Sequence, residues 1–151
     1  MLFLLFRLGD DCYALDCARV VEILPLLAIK KMLQAPPGIA GMLNYHGSFV
    51  PIVDLSEVAL GRPAEARLST RIVLARHGEE GREPTLFGMI AENATETLRC
   101  EPADFEFREG ASNAHPGPLL AGPHGPVQRM DISGLLPASV NAFLSGQPAV
   151  R

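Results

Sequence analysis

The sequence feature that most limits the possible folds is the stretch at 41–55, in which two apolar arms flank a short polar tip. The tip at 44–47 reads Asn-Tyr-His-Gly, and Asn and Gly enter the left-handed backbone region at low steric cost. The second arm is rich in Phe, Val and Ile, as a buried strand requires. Pro51 interrupts this arm, and because proline cannot donate to a ladder it indicates an edge position or a bulge. The stretch predicts a β-hairpin with an edge strand.

A short capped helix is predicted directly after this hairpin. Asp54 can offer a side-chain oxygen to the first turn of a helix over 56–60, and Gly61 stands where a left-handed C-cap is expected. The hairpin and the helical turn together contain no group that looks catalytic.

The same stretch resembles the G-x-x-N-x-R-G-x-x-x-P-x-x-D-L signature of CheW-like domains, the coupling proteins of bacterial chemosensory arrays. Six positions match in register, namely Gly41, Asn44, Gly47, Pro51, Asp54 and Leu55. One position departs, because the family usually has arginine where this chain has His46. The resemblance extends over nearly the whole chain, is strong up to about Leu60 and is looser after Arg108.

Length and charge restrict the class of protein. The 151 residues suit one ordinary domain or two very small ones, and a hydrophobic fraction of 48% is enough for a core. The net charge is -4 and the longest basic cluster is Lys30-Lys31, which argues against nucleic acid as a partner. No apolar run approaches the roughly 20 residues of a membrane span, and the segment at 1–6 has no basic leader. We therefore expect a cytoplasmic protein that reaches a membrane only through a partner.

Local patterns predict mostly strands. Strands are expected at 2–8, 12–15, 26–33, 71–76, 86–90 and 91–98, with a loop at 77–84. A short helix is expected after Asp16, because apolar residues at 17, 20, 21 and 24 recur with helical spacing until Pro25. The segment at 108–126 is crowded with Gly and Pro and should be irregular, whereas 138–144 resembles a terminal helix.

An internal echo and the many short strands favour an all-β barrel architecture with short helices. The segment at 50–58 aligns without gaps on 127–135, with Val, Asp, an aliphatic residue and Ser at the same offsets. The resemblance implies two small five-stranded, SH3-like β-barrel subdomains side by side. It places one CheW-like domain over 1–151, with a first subdomain at about 12–68 and a second at about 69–136. Strand 2–8 and helix 138–144 would pack across the two.

The search for catalytic or metal-binding groups finds none at a diagnostic spacing, so we predict no enzyme activity, no cofactor and no metal site. His77, His115 and His124 are expected in solvated loops, and Glu79-Glu80 on a solvated face. Cysteines 12, 17 and 100 form no CxxC pair, and we predict that they are reduced structural thiols.

The resemblance implies a non-catalytic adaptor that holds a CheA-like histidine kinase against the cytoplasmic tip of a chemoreceptor. The positions that match the receptor-facing groove are Val20, Glu22, Asn44 and His46, and those that match the kinase-facing end are Ile29, Lys30 and Gly41. Tyr45 stands beside His46 at the exposed tip, where an aromatic and imidazole pair can contact a partner. The dense apolar run at 20–29 should also leave an exposed remainder that acts as an interaction patch.

Other partners and other functions stay open at this point. Further CheW-like proteins in array rings are possible partners. The sequence around the motif, such as Asn-Tyr-His-Gly and Thr-Glu-Thr-Leu, resembles that of couplers of surface-sensing, Wsp-type pathways more than that of couplers of flagellar chemotaxis. The alternatives are a β-barrel module that binds a small ligand or nucleic acid, which needs aromatic and basic residues on one face, and a small β-barrel enzyme with a polar pocket.

Overall fold

The computed structural model describes residues 1–78, 83–105, 119–122 and 125–147, and in this part of the chain short strands dominate. The strands are β1 (Leu2–Leu8), β2 (Asp11–Asp16), β3 (Val20–Pro25), β4 (Ile39–Tyr45), β5 (Ser48–Asp54), β6 (Arg71–His77), β7 (Thr85–Arg99), β8 (Leu119–Gly122) and β9 (Gly125–Arg129). The helices are α1 (Leu55–Leu60), α2 (Ile132–Leu135) and α3 (Ala138–Ser145). The prediction of an all-β chain with short helices is confirmed.

The long strand β7 joins two halves of one nine-stranded sheet. The first half has the order β3-β6-β7-β5-β4, and the second half has the order β7-β1-β2-β9-β8. In both halves the successive pairings are antiparallel, antiparallel, parallel and antiparallel. In both halves a short helix also follows the fourth strand, α1 after β5 and α2 after β9. The internal echo in the sequence therefore corresponds to a repeated structural unit.

The two halves are not two closed barrels, as the sequence implied, because the described strands form one open sheet. In the first half one isolated bridge joins Lys30 to β4. The Lys30 N–H donates to the Met42 carbonyl at 2.9 Å, and the Met42 N–H donates back to the Lys30 carbonyl at 2.8 Å. These two bonds bring the chain after β3 against the free side of β4, so that the first half is ring-shaped.

The strand pairing also groups the elements differently from the expected boundaries. β6, which was expected in a subdomain at about 69–136, pairs with β3 in the first half. β2, which was expected in a subdomain at about 12–68, pairs with β1 and β9 in the second half. Long-range strand pairing places these elements, and no local sequence signal reports it.

The largest core cluster lies between the two halves. Phe6 and Leu15 reach it from the second half, Val73 and Phe87 reach it from the first half, and Val140 of α3 covers it. Val140 is completely buried, which stabilises the folded state by up to about 1.5–3 kcal/mol. The terminal helix predicted at 138–144 is thus confirmed as α3.

Two smaller clusters fill the halves themselves. Leu43, Ile52 and Leu74 are buried inside the first half. Phe3 and Phe105 are buried inside the second half, with their ring centroids 5.1 Å apart in an edge-to-face arrangement.

The helix predicted after Asp16 is wrong beyond its first turn. Asp16 does cap a turn, because its carboxylate accepts from the Ala18 N–H at 2.9 Å, but the turn is a single 3₁₀ turn at Cys17–Arg19. The chain then continues as β3, paired with β6. β-Branched residues such as Val20 and Val21 favour an extended backbone, and pairing along β6 stabilises it further.

Three further local predictions need correction. The stretch at 26–33 contributes only the Lys30 bridge and no regular strand. Strands β8 and β9 include residues 119–122 and 125–126, where irregular structure was expected, while residues 106–118 and 123–124 lie outside the described residues. The long strand β7 is continuous, where two strands were expected.

Pro51 does not mark an edge strand, since β5 lies between β4 and β7. Pro51 pairs with Met42, whose N–H and C=O both bond to Lys30 and therefore point away from β5. The pair is a non-hydrogen-bonded one, and pairing of β5 with β7 begins only at Ile52. The missing N–H of proline consequently costs no ladder bond. Pro51 is not at a bulge either: the register shift of this strand pair lies between Ile39 and Gly41, opposite Val53 and Ile52.

The capped helix predicted after the hairpin is confirmed. Asp54 is 5% exposed, and its Oδ1 accepts from the Glu57 N–H at 3.2 Å. Its Oδ2 also accepts from the Ala64 N–H at 3.0 Å, which fastens the chain beyond α1 to the same carboxylate. Gly61 adopts φ 73°, and its N–H donates to the Glu57 carbonyl at 3.0 Å. One carboxylate therefore terminates β5, starts α1 and holds the connector.

The Asp54 carboxylate gives a stability prediction. Asp54→Ala removes the cap, which costs about 0.5–2 kcal/mol, and it also leaves the partly buried Ala64 N–H without its acceptor, which costs about 1 kcal/mol more. Asp10→Ala, in an exposed turn, is the control and should change the free energy of unfolding by less than about 0.5 kcal/mol. Denaturant titrations measure both; equal midpoints for the two variants would show that the carboxylate is dispensable.

Candidate functional site

The hairpin tip is a two-residue turn between β4 and β5. Tyr45 pairs with Ser48 across the turn, and His46 and Gly47 both have positive φ, at 51° and 84°. Positive φ at both central residues is what a type I′ hairpin requires. The Asn44 side chain completes the turn, because its Oδ1 accepts from the Gly47 N–H at 3.0 Å. The tip is therefore a defined structure, and it presents an exposed His46 imidazole.

Tyr45 connects this tip to β3. Its hydroxyl donates a hydrogen bond to the Glu22 carboxylate oxygen Oε2, and its ring packs partly against the core of the first half. The His46 ring stands edge-on to the Tyr45 ring with the centroids 4.3 Å apart. The hydrogen bond to Glu22 raises the pKa of the Tyr45 phenol. We call Glu22, Asn44, Tyr45 and His46 the tip cluster; the structure brings these four predicted site residues together.

Val20, the remaining predicted groove residue, lies at the start of β3 and packs partly against the core between the halves. Its neighbours Val21 and Ile23 are 42% and 40% exposed. Ile23 pairs with Val73, which belongs to the core between the halves, so Ile23 lies on the face of β3 that borders this core. Together with the exposed Leu27, these residues are the exposed remainder that the apolar run predicted.

The predicted kinase-end residues lie together but differ in exposure. Lys30 is exposed, Ile29 is half-buried against the core of the first half, and Gly41 is buried. A Cβ on Gly41 would overlap the Lys30 carbonyl oxygen and would lie 2.8 Å from Cγ2 of Ile29. Gly41, with φ 151°, therefore permits the close approach of the two chain segments and is itself inaccessible to a partner.

An open groove beside Lys30 was not predicted from the sequence. It has a volume of about 420 Å³ and is lined by Lys30, Lys31, Met32, Leu33, Met42 and Phe49, which we call the lysine groove. Leu33 is 94% exposed and Phe49 is 59% exposed. The strand alternation contains a signal for it: Phe49 pairs with the exposed Asn44 and so shares its outward-facing side. The chain's only two lysines lie in this groove.

Three cysteines and His77 belong to residue types that often act as nucleophiles or bases in enzymes. Burial raises the pKa of the Cys12, Cys17 and Cys100 thiols, all three of which are free, and this disfavours the nucleophilic thiolate. His77 was expected in a solvated loop, but it is the last residue of β6. Its Nε2 donates to Asn141 Oδ1 at 2.9 Å, because the Asn141 amide nitrogen donates to the Leu136 carbonyl. His115, His124 and Glu79-Glu80 lie outside the described residues.

Metal-binding and membrane-spanning features are absent from the part of the chain that the structure describes. Across its four ranges, no three His, Cys, Asp or Glu side chains are grouped to hold a metal ion. Among the same residues, no helix is long and apolar enough to cross a membrane.

The fold and the sequence are both similar to those of CheW proteins. The crystal structure of the scaffolding protein TtCheW from Thermoanaerobacter tengcongensis matches with a TM-score of 0.74 and 18% identity, covering 91% of this chain and 88% of that one. The fold is therefore that of a CheW scaffold. The sequence also matches the family model described as CheW-like domain over residues 2–137, and the chain belongs to this family.

Curated relatives agree with this assignment. A chemotaxis protein CheW of Helicobacter pylori is 25% identical over 105 residues, which cover 69% of this chain and 60% of that protein. A chemotaxis protein CheW of Klebsiella aerogenes is 25% identical over 96 residues, which cover 64% of this chain and 55% of that protein. The chain thus spans less than two thirds of the length of either relative.

The buried position of Gly41 predicts a large stability effect. Gly41→Ala forces its Cβ against backbone and should lower the free energy of unfolding by about 3 kcal/mol or more. Gly47→Ala is the matched control, because Gly47 also has positive φ but has open space around it; it should cost only about 1–2 kcal/mol. Denaturant titration of both variants decides, and equal losses would mean that the contact with Lys30 is unimportant.

Proposed function

We propose that the protein is a non-catalytic adaptor that couples a chemoreceptor of the methyl-accepting type to a CheA-like histidine kinase. The observation that carries the proposal is the match to the CheW-like domain family over residues 2–137, joined to a surface with two separate exposed clusters on the first half. An adaptor needs at least two such surfaces, because it must contact both partners at once. On this proposal the protein works in the cytoplasm and meets the membrane only through the receptor.

The tip cluster and the β3 residues beside it form the proposed receptor-facing surface. Val21 and Ile23 offer exposed apolar area on β3, and His46 offers a polar group at the end of β4, where Tyr45 is bonded to Glu22. An amphipathic helix of a partner can pack its apolar side against such a surface while its polar side meets the polar groups beside it. This arrangement supports the groove between the halves as the receptor site.

The lysine groove forms the proposed kinase-facing surface. Exposed Leu33 and Phe49 provide apolar contact area, which is typical of a protein interface. Lys30 and Lys31 give this one surface a positive charge on a chain whose net charge is -4. The complementary partner surface would combine apolar side chains with carboxylates, and its charge would accelerate association and favour one orientation.

The two surfaces are neighbours on the hairpin, because Asn44 of the tip cluster pairs with Phe49 of the lysine groove. Met42 in the lysine groove and Tyr45 in the tip cluster are three residues apart on this strand, which corresponds to roughly 10 Å. The bridge between Lys30 and Met42 fixes the lysine groove to the same strand whose end carries the tip. The two partners would therefore lie side by side on the first half, with Asn44 and Phe49 at the boundary between them.

The pathway is a finer proposal. The residues around the motif support a surface-sensing, Wsp-type system. Further CheW-like proteins in array rings are additional proposed partners. Neither follows from the fold, which is shared with scaffolding proteins of other systems.

Reconstitution provides the direct functional prediction. A receptor and a histidine kinase from the same genome should show receptor-dependent autophosphorylation of the kinase only when this chain is added. The chain alone should transfer no phosphoryl group. Gly41→Ala is a useful comparison, because a loss of closure in the first half should reduce control of the kinase. Equal receptor control with and without the chain contradicts the adaptor function.

His46 provides a specificity prediction. Arginine at this position is always charged and can contact a carboxylate through two parallel hydrogen bonds, a planar bidentate geometry that an imidazole cannot form. We expect His46→Ala to weaken binding to the cognate receptor or kinase by about 1 kcal/mol. We expect His46→Arg to gain affinity for a partner from an arginine-type system, because partner choice then includes the missing charge-assisted bond.

The backbone makes these two variants well matched. His46 has φ 51°, and Ala and Arg carry the same steric cost there, so thermal melts of both should stay close to the wild type. Titration calorimetry against both partners measures the affinities. If neither substitution alters either affinity, His46 is only a turn residue and the receptor-facing assignment of the tip loses its support.

A further inference from the structure

Tyr45 is the only tip residue that joins three structural units at once. Its ring packs partly against the core of the first half, its hydroxyl donates to Glu22 on β3, and its ring edge meets the His46 imidazole. Glu22 and Tyr45 are 23 residues apart in the sequence, so the bond ties the hairpin tip to a different strand. A two-residue turn at the end of a hairpin otherwise has few constraints on its direction.

The hydrogen bond also engages the exposed Glu22 carboxylate with a group of the same chain. Glu22 lies on exposed β3, where its carboxylate would otherwise be free to attract a cationic side chain of a partner. With the Tyr45 hydroxyl on Oε2, one of its two oxygens is occupied. The exposed imidazole of His46, held edge-on against the Tyr45 ring, is then the group that the tip offers.

We infer that Tyr45 is a positioning residue for partner binding: through its hydrogen bond to Glu22 it fixes the tip against β3 and orients the His46 imidazole toward the partner. This inference rests on the proposed receptor-facing role of the tip cluster. It deepens that role, because it assigns the binding contact to His46 and an internal, orienting role to Tyr45 and Glu22.

The protonation state of the phenol is consistent with a permanent contact. The hydrogen bond to Glu22 raises the pKa of Tyr45 above its ordinary value of about 10. The phenol therefore stays protonated, and able to donate, throughout the neutral range. The contribution of this bond to stability is present below the ordinary pKa and is lost only as the pH rises through the raised pKa of the folded state.

A double-mutant cycle on Tyr45 and Glu22 tests the inference. Tyr45→Phe keeps the ring and removes the donor, Glu22→Ala removes the acceptor, and Glu22→Gln keeps an acceptor without the charge. The affinity of each variant for a soluble receptor-tip fragment is measured by titration calorimetry at pH 7. Tyr13→Phe, which alters the chain's other tyrosine in the core between the halves, is the control for loss of a hydroxyl elsewhere.

The expected pattern is specific to a positioning role. Tyr45→Phe and Glu22→Ala should each weaken binding about fivefold, and the double variant should be no weaker than either single one, because both remove the same contact. Tyr13→Phe should bind within about twofold of the wild type, and Glu22→Gln, which keeps an acceptor for the Tyr45 hydroxyl, should lose clearly less affinity than Glu22→Ala. A direct contact between the Glu22 charge and the partner would instead make Glu22→Gln as weak as Glu22→Ala. That result overturns the inference, and so does unchanged or tighter binding by Tyr45→Phe.

A second measurement needs no partner and separates failure of the inference from failure of the proposed function. The difference between the ultraviolet alkaline titrations of the wild type and Tyr45→Phe isolates the Tyr45 phenol, since the chain has only two tyrosines. Its pKa should be raised in the wild type and should fall toward its ordinary value in a Glu22→Ala background. An ordinary pKa in the wild type overturns the inference. Absence of any binding by the wild type, with a raised pKa, overturns the proposed receptor function and the role of Tyr45 in it, but leaves the hydrogen bond established.

Discussion

The pairing of β7 with three strands is the constraint on which the rest of the structure depends. Its first part, from Thr85, pairs with β6 and β5, and its last part, up to Arg99, pairs with β1. The change of partner takes place near Asn93, whose φ of 51° is tolerated by asparagine better than by most residues. One strand therefore sets both the relative placement of the halves and the apolar faces that they bury against each other. Without this continuity the core between the halves would not be defined.

The ring-shaped closure of the first half holds two exposed clusters in place. The bridge between Lys30 and Met42 holds the chain after β3 against β4, and Gly41 permits the approach because it has no Cβ. At the end of β4 the Tyr45 hydroxyl reaches Glu22 on β3, so β3 and β4 are tied together at a second point. The lysine groove and the tip cluster thus lie on a frame that is fixed at both positions. On the proposed function, these two exposed clusters are the contact surfaces for the receptor and the kinase.

Elements that depend on local sequence signals were predicted correctly, whereas features that depend on long-range strand pairing were not. The cap at Asp54, the tip turn at 44–47 and helix α3 were predictable, because turn, cap and periodic apolar signals act within a few residues. The helix expected after Asp16 was wrong because pairing with β6 overrides a helical spacing that extends over only two turns. The subdomain boundaries followed the order of the chain, whereas β2 and β6 pair across it. Lys30 meets Met42 of β4, and Glu22 of β3 meets Tyr45 at the end of β4, through contacts between residues too far apart in the sequence for a local pattern to report.

The candidate site likewise has residues that local sequence signals identify and contacts that they do not. The tip residues stood out because an Asn-Tyr-His-Gly turn exposes its side chains, and the structure places Asn44 and His46 as exposed. The hydrogen bond between Tyr45 and Glu22 and the lysine groove could not be predicted, since each depends on side chains from different strands. Gly41 illustrates the reverse case: a motif residue that suggests a contact is buried, and its effect on a partner would be exerted through the closure of the first half.

The central claim is that one small domain binds two partners on two different surfaces of its first half. Amide chemical-shift mapping of the isotope-labelled protein tests it most directly, with a receptor-tip fragment and the regulatory domain of the kinase added separately. The receptor fragment should shift signals of Val20, Glu22 and the tip at 44–46, and the kinase domain should shift those of residues 30–33, Met42 and Phe49. Shifts of one shared set by both partners, or shifts confined to β8 and β9, would contradict the account.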